Sequence, residues 1–262
     1  MPSDHRLSRF TAHAAGLLAR LSLLSLPLLI ASGSAQAAIH VFSPIVEQGE
    51  MEVETKADGT FDKNPALANA RSANIDVGYG VTSFWATEIE AQWKQDPQGS
   101  RHYDSTSWEN RFQLTPQGQY WIDVGMFFEY EKVVQQGDHN NATLGLLLQK
   151  ETGKNLTTFN FLLNREFGRN GAPGLSTDMR VQSRWRVDPA FEPGLELYLQ
   201  PGRLGHFDAF DDERVRIGPV AVGALRTSAL SKLKYEIGYL VGATRGSERG
   251  TARAMLEYEV RF

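Results

Sequence analysis

Residues Tyr120 to Glu131 read YWIDVGMFFEYE. Tyr120, Ile122, Val124, Met126, Phe128 and Tyr130 fall on one side of a period of two. Trp121, Asp123, Gly125, Phe127, Glu129 and Glu131 fall on the other. Successive side chains of a strand point to opposite faces, so the stretch reads as a strand with one apolar side. It runs for about twelve residues, where globular strands average about five or six and a tilted membrane-spanning strand needs about 9–11.

The alternation recurs along the chain. Trp85, Thr87, Ile89, Ala91 and Trp93 oppose Glu88, Glu90 and Lys94, and Trp108, Phe112 and Leu114 oppose Glu109, Arg111 and Gln113. Leu175, Thr177, Met179, Val181, Trp185 and Val187 oppose Asp178, Arg180, Gln182, Arg184 and Arg186. Leu195, Leu197 and Leu199 oppose Glu192, Glu196 and Gln200, and Val215, Ile217, Pro219 and Ala221 oppose Arg214 and Arg216. Leu233 to Tyr239 and Ala252 to Phe262 repeat the pattern, and weaker runs lie at 50–57, 72–80, 139–151 and 155–167. The count is about twelve strands, and the longest runs reach the length a membrane span requires. Gaps after even-numbered strands are short and carry turn residues such as Pro116-Gln117-Gly118, Thr152-Gly153-Lys154 and Asp188-Pro189. Gaps after odd-numbered strands are mostly longer or more polar. A soluble sandwich also alternates. Strand length, the absence of a helical pattern, and Trp, Tyr and Phe near strand ends favour a barrel with apolar side chains in lipid and polar ones inside. The fold class expected is all-β, a transmembrane antiparallel up-and-down β-barrel with both termini on the short-turn rim.

The first 37 residues stand apart. Arg6, Arg9 and Arg20 outweigh Asp4, Leu21 to Ile30 form a short apolar run, and Ala35-Gln36-Ala37 has the small-x-small form of a cleavage site. This is the pattern of a secretory signal peptide, cut after Ala37 or Ala38, and the run is too short for a membrane-spanning helix of about 20 residues. Residues 38–49 are expected as a periplasmic lead-in and 50–262 as the barrel. A mean hydropathy of -0.35 excludes a helical membrane bundle. The absence of Cys excludes disulfides and thiolate chemistry. The full-length net charge of -4 argues against nucleic acid as a partner.

The chain ends Tyr258-Glu259-Val260-Arg261-Phe262, and a short turn follows Tyr79-Gly80-Val81-Thr82. These features resemble the closing strand and a periplasmic hairpin of Gram-negative outer-membrane β-barrel proteins. The resemblance covers about 50–262 and extends to no single family, although small twelve-stranded porins are similar in size. It implies an outer-membrane location, lipid as surroundings, and recognition of Phe262 by the barrel-assembly machinery. Oligomeric state does not follow from it.

Inside such a barrel the charges are unevenly spread. Residues 38–135 hold seven Lys/Arg and fifteen Asp/Glu, and residues 136–262 hold seventeen and fifteen. Glu52, Glu54, Asp76, Glu88, Glu90, Asp123 and Glu129 are expected on one wall, with Arg111 beside Glu88 and Glu90. Arg180, Arg184, Arg186, Arg214 and Arg216 are expected on the other. Facing rows of opposite charge orient polar solutes in a pore, but neighbours can also neutralise each other as cross-strand pairs. Twelve strands fall between a filled eight-stranded barrel and an open sixteen-stranded one, and Trp121, Phe127 and Tyr198 are large enough to plug it.

Candidate chemistry is sparse. Outer-membrane phospholipases are similar in size, and their pattern places His and Ser two residues apart, followed by Asn. Here His139 is followed by Asn140 and Asn141, and His102 has only Ser105 and Ser107 nearby. His206 shares a loop with Asp208, Asp211, Asp212 and Glu213 but lacks a metal-binding spacing. No cofactor is implied. The first reading is a narrow passive channel for small hydrophilic or charged solutes. The alternatives are a non-conducting structural barrel and a lipid-modifying hydrolase. The export reading predicts a mature chain beginning at Ala38 or Ile39, and an intact mass that retains Met1 to Ala37 contradicts it.

Overall fold

The computed structural model describes residues 39–134, 139–168 and 171–262; the proposed signal peptide lies outside them. Twelve strands of ten to thirteen residues build the wall: β1 (Glu50–Phe61), β2 (Arg71–Gly80), β3 (Trp85–Gln95), β4 (Arg101–Gln113), β5 (Asp123–Val133), β6 (Asn140–Thr152), β7 (Asn155–Phe167), β8 (Ser176–Trp185), β9 (Glu192–Arg203), β11 (Arg214–Arg226), β12 (Ser231–Gly242) and β13 (Gly250–Arg261). A two-residue strand, β10 (His206–Phe207), folds back on β9 in a loop. Consecutive wall strands pair antiparallel, and β1 pairs with β13 from Glu50↔Arg261 to Phe61↔Gly250. The wall is therefore closed, and the weak run at 50–57 is a full strand.

Burial is inverted relative to a water-soluble sandwich. On β2, Ile75 and Val77 are each 51% exposed, while Asp76 between them is 1% exposed. Apolar side chains face outward and polar ones inward, which suits a barrel whose outside is hydrocarbon. Rim aromatics pair along the outside, with Trp85 against Phe112 at 6.5 Å and Phe61 against Tyr239 at 6.4 Å. Short connections join β2–β3, β6–β7, β8–β9 and β11–β12 at one rim. The tightest is Gly153-Lys154, where Gly153 has φ 61°, as the first central residue of a type II′ hairpin requires.

The β4–β5 connection corrects the opening stretch. Tyr120, Trp121 and Ile122 belong to a turn over 114–122, and the strand begins only at Asp123. Gly118 donates to the Asp123 carboxylate at 2.7 Å, and the Thr115 hydroxyl accepts from Val124 N–H at 2.8 Å. These side chains satisfy the backbone groups that a longer strand would have paired. Trp121 is thus 76% exposed at the rim and is no lumen plug.

Leu146 faces outward on β6, in register between Met126 and Phe161. Arginine on the lipid face near mid-membrane costs about 2–4 kcal/mol. Leu146→Arg is expected to lower the unfolding free energy in liposomes by about that amount; an unchanged denaturant midpoint contradicts the outward assignment.

Candidate functional site in the barrel lumen

Residues 39–49, expected as a lead-in outside the barrel, run inside it as an extended segment. An extended chain without a sheet partner must find acceptors for its N–H groups elsewhere, and the polar inner wall supplies them. Ile39 N–H donates to Asp58 Oδ2 at 3.1 Å, Phe42 N–H to Asn160 Oδ1 at 2.8 Å and Val46 N–H to Gln113 Oε1 at 2.9 Å. Asn160 Nδ2 returns a bond to Phe42 O at 2.9 Å, and Arg180 Nη1 donates to His40 O at 2.7 Å. Burial pushes the His40 imidazole well below its ordinary range, so it is neutral there. Gly125 makes room for the segment, since a Cβ there would lie 2.8 Å from Pro44 Cβ.

The segment's apolar side chains meet the few apolar residues that point inward. Phe42 stacks on Phe127 at 4.2 Å beside Leu147 and Leu162, on the β5–β7 side. Ile39 and Val41 join Tyr198 and Leu240, on the β9 and β12 side. The segment therefore bridges opposite walls. A chamber of ≈ 670 Å³ enters from the short-turn rim and reaches His40, Lys56, Gln182 and Glu236. A second of ≈ 360 Å³ enters from the loop rim and reaches Asp178, Gln200 and Arg214.

The predicted charged walls are only partly realised. On the early strands, Glu88, Glu90, Glu129 and Arg111 do face the lumen. Arg111 pairs with Glu52 at 2.6 Å and Glu88 at 4.0 Å. Lys56, overlooked in the sequence, stands among Glu54, Asp76 and Glu90 at 2.8, 3.3 and 3.6 Å. Glu129 lies in register between Glu109 and Thr143. Asp123 serves the turn.

On the late strands the arginines are mostly neutralised beside themselves. Arg180 pairs with Asp178 at 2.7 Å, Arg184 with Glu192 at 3.3 Å and Arg214 with Glu248 at 3.6 Å. Arg186 lies past the end of β8, its side chain 45% exposed, and pairs with Glu151 at 2.7 Å. Arg253, also overlooked, is buried between Glu196 and Glu236 at 2.5 and 3.0 Å. Among the described residues, Arg216 has no carboxylate at ion-pair distance and lies 6.0 Å from the Tyr198 ring centroid. The signal for Lys56 and Arg253 was their inward phase; the signal for the segment was a set of inward-phase apolar residues on β5 to β7 that broke the polar-inside rule.

The histidines form no nucleophile pair among the described residues. His102 lies 3.6 Å from Asp104, Ser105 Oγ donates to Glu131 at 2.7 Å, and His139 lies 3.5 Å from Glu166. Among the described residues, the carboxylates close enough to share an ion are Glu50, Glu52 and Glu259, and Glu54, Asp76 and Glu88. They are not those of the His206 loop.

A closed antiparallel barrel with an apolar exterior and a polar, charged interior is the fold of the Gram-negative outer-membrane β-barrels, and of their porins in particular. No protein-family model matches the chain, and no curated protein sequence matches it. Solved structures similar to it include an outer membrane channel from Pseudomonas putida F1, 13% identical, covering 87% of this chain and all of that one, with a TM-score of 0.57. The KdgM porin is 10% identical over 80% of this chain and 99% of its own, with a TM-score of 0.53. That porin is also known in complex with disordered oligogalacturonate, at 11% identity over 81% and 99% of the chains and a TM-score of 0.51. The translocator domain of the autotransporter NalP from Neisseria meningitidis is 12% identical over 97% and 98%, with a TM-score of 0.51. At these identities the likeness is one of fold.

Phe42→Ala removes the main apolar anchor of the segment. The variant is expected to speed hydrogen exchange at the Phe42 and Val46 amides at least tenfold relative to the β6 and β7 amides. Equal protection in variant and parent contradicts an anchoring role for the Phe42–Phe127 stack.

Proposed function

We propose that this protein is an outer-membrane channel for small hydrophilic or charged solutes, exported through a cleaved signal peptide, with residues 39–48 as its internal constriction. The observation that carries the reading is the pair of polar chambers entering from opposite rims. The layer between them is made partly of a segment that pairs with no strand of the wall and is bound to it largely through side chains. Fold alone supports no single activity; channels and a translocator domain share it. The channel reading is preferred because the interior is charged and hollow at both ends. Passage is diffusive and needs no cofactor, and the reading is non-enzymatic. Phe262, 77% exposed on the short-turn rim, is the end offered to the assembly machinery.

The segment also favours a second reading, a non-conducting barrel. Planar bilayers separate the two. The parent is expected to give small unit current steps, and deletion of residues 39–46 to enlarge them severalfold. Silence in both proteins selects the structural barrel. In the conducting form, Arg184→Glu with Arg214→Glu is expected to shift the reversal potential in a salt gradient toward cation preference. An unchanged potential overturns the role of these walls in selectivity.

A further inference from the structure

The segment inside the barrel carries one side chain that titrates near neutral pH, His40. It lines the chamber that enters from the short-turn rim, so protons can reach it from that side. Its ring meets Phe42 edge-on at 5.2 Å. Phe42 in turn stacks on Phe127 at 4.2 Å and lies 5.6 Å from the Arg180 guanidinium carbon. The ring therefore packs directly on the anchor of the segment. Its Nδ1 is buried and, among the described residues, has no hydrogen-bond partner. Protonation makes both ring nitrogens donors, and Nδ1 has no acceptor to meet.

The charges around the ring also oppose a proton. Lys56 on β1, Arg253 on β13 and Arg111 on β4 repel an imidazolium, while Glu236 on β12 attracts it. Glu236 is already engaged by Arg253 at 3.0 Å and by Gln182 Nε2 at 3.4 Å. Arg180 on β8 donates to the His40 carbonyl at 2.7 Å and takes Asp178 as its own partner. Asp58 on β1 accepts from Ile39 N–H at 3.1 Å and from the Ser72 hydroxyl at 3.2 Å. On β5 to β7 the segment meets Phe127, Leu147, Leu162, Gln149 and Asn160, none of which titrates. On β9 and β12, Tyr198 and Leu240 pack with Ile39 and Val41.

We propose that protonation of His40 releases the segment from the lumen, so that the constriction opens in acid. This deepens the channel reading by giving its constriction a regulator, and it rests on that reading for the current alone. An imidazole in water takes up its proton near pH 6.5. In the docked segment burial, and then the neighbouring cations, hold it well below that. Docking is therefore at full strength above about pH 6.5 and weakens by up to about tenfold for each pH unit below it.

Hydrogen exchange of the full protein in detergent micelles reads the release without conduction. Protection of the Phe42 and Val46 amides, corrected for the intrinsic effect of pH, is compared with that of the β6 and β7 amides. Between pH 7.5 and pH 5.5 it is expected to fall about tenfold in the parent, with β6 and β7 unchanged. His40→Gln and His40→Phe cannot titrate and are expected to keep the parent's pH 7.5 protection at both values. Asp58→Asn, whose side-chain oxygen can still accept from Ile39 N–H, is expected to keep the fall. No fall in the parent, or an equal fall in either His40 variant, overturns the proposal. So does a fall that disappears in Asp58→Asn, since the carboxylate is then the sensor. In planar bilayers the wide steps given by deletion of residues 39–46 are expected to appear about tenfold more often in the parent at pH 5.5 than at pH 7.5. Acid release in a protein silent at both values overturns the channel and leaves the His40 release standing. Conduction without acid release overturns the role of His40.

Discussion

The structure depends on closure of one hydrogen-bonded ladder. In hydrocarbon an unpaired N–H or C=O costs several kcal/mol, so a sheet can cross only if it has no edge. The pairing of β1 with β13, twelve residues long and without a slip, removes the two edges the chain would otherwise have. Once every wall strand is paired on both sides, the side chains are sorted by solvent alone. Ile75 and Val77 go to the outside and Asp76 goes to the inside because the pleat leaves no other arrangement.

Closure creates a second problem inside. The wall turns many polar and charged side chains into its interior, where they are buried. The lumen answers with local pairing rather than with two opposed sheets of charge. Lys56 is shared by three carboxylates, and Arg253 is fixed by two. Most late-strand arginines have an acid on the same or an adjacent strand or on the loop beside it. The N-terminal segment completes the interior, trading its unpaired backbone for side-chain acceptors and placing Phe42 on Phe127. Among the described residues, Arg216 is the inward late-strand arginine left without a carboxylate at ion-pair distance, and it stands over the Tyr198 ring instead.

Resemblance to solved barrels reaches the wall and stops there. Two channels and a translocator domain share the architecture at 10–13% identity, so the wall is a scaffold and the activity lies in what fills it. In this chain the filling is the segment 39–49, the paired charges, and two chambers that approach each other from opposite rims.

The number of wall strands, the face that most of their residues take and the rim that holds the termini were legible in the sequence, because a period of two in hydrophobicity is a local property that lipid and water impose residue by residue. The start of β5 was not legible, since the Thr115 and Asp123 side chains that hold its turn act on the backbone and leave no mark on the alternation. Inward phase put Arg111, Arg180 and Arg214 in the lumen, but phase carries no distance. That Glu52 would meet Arg111 across 59 positions, and that Phe42 would reach Asn160 across 118, depends on how the barrel closes. The sequence by itself determined the wall, because solvent sorts neighbouring side chains. Only the tertiary structure decided which lumen charges meet across the barrel and where the segment lies, because those are pairings between strands far apart in the chain.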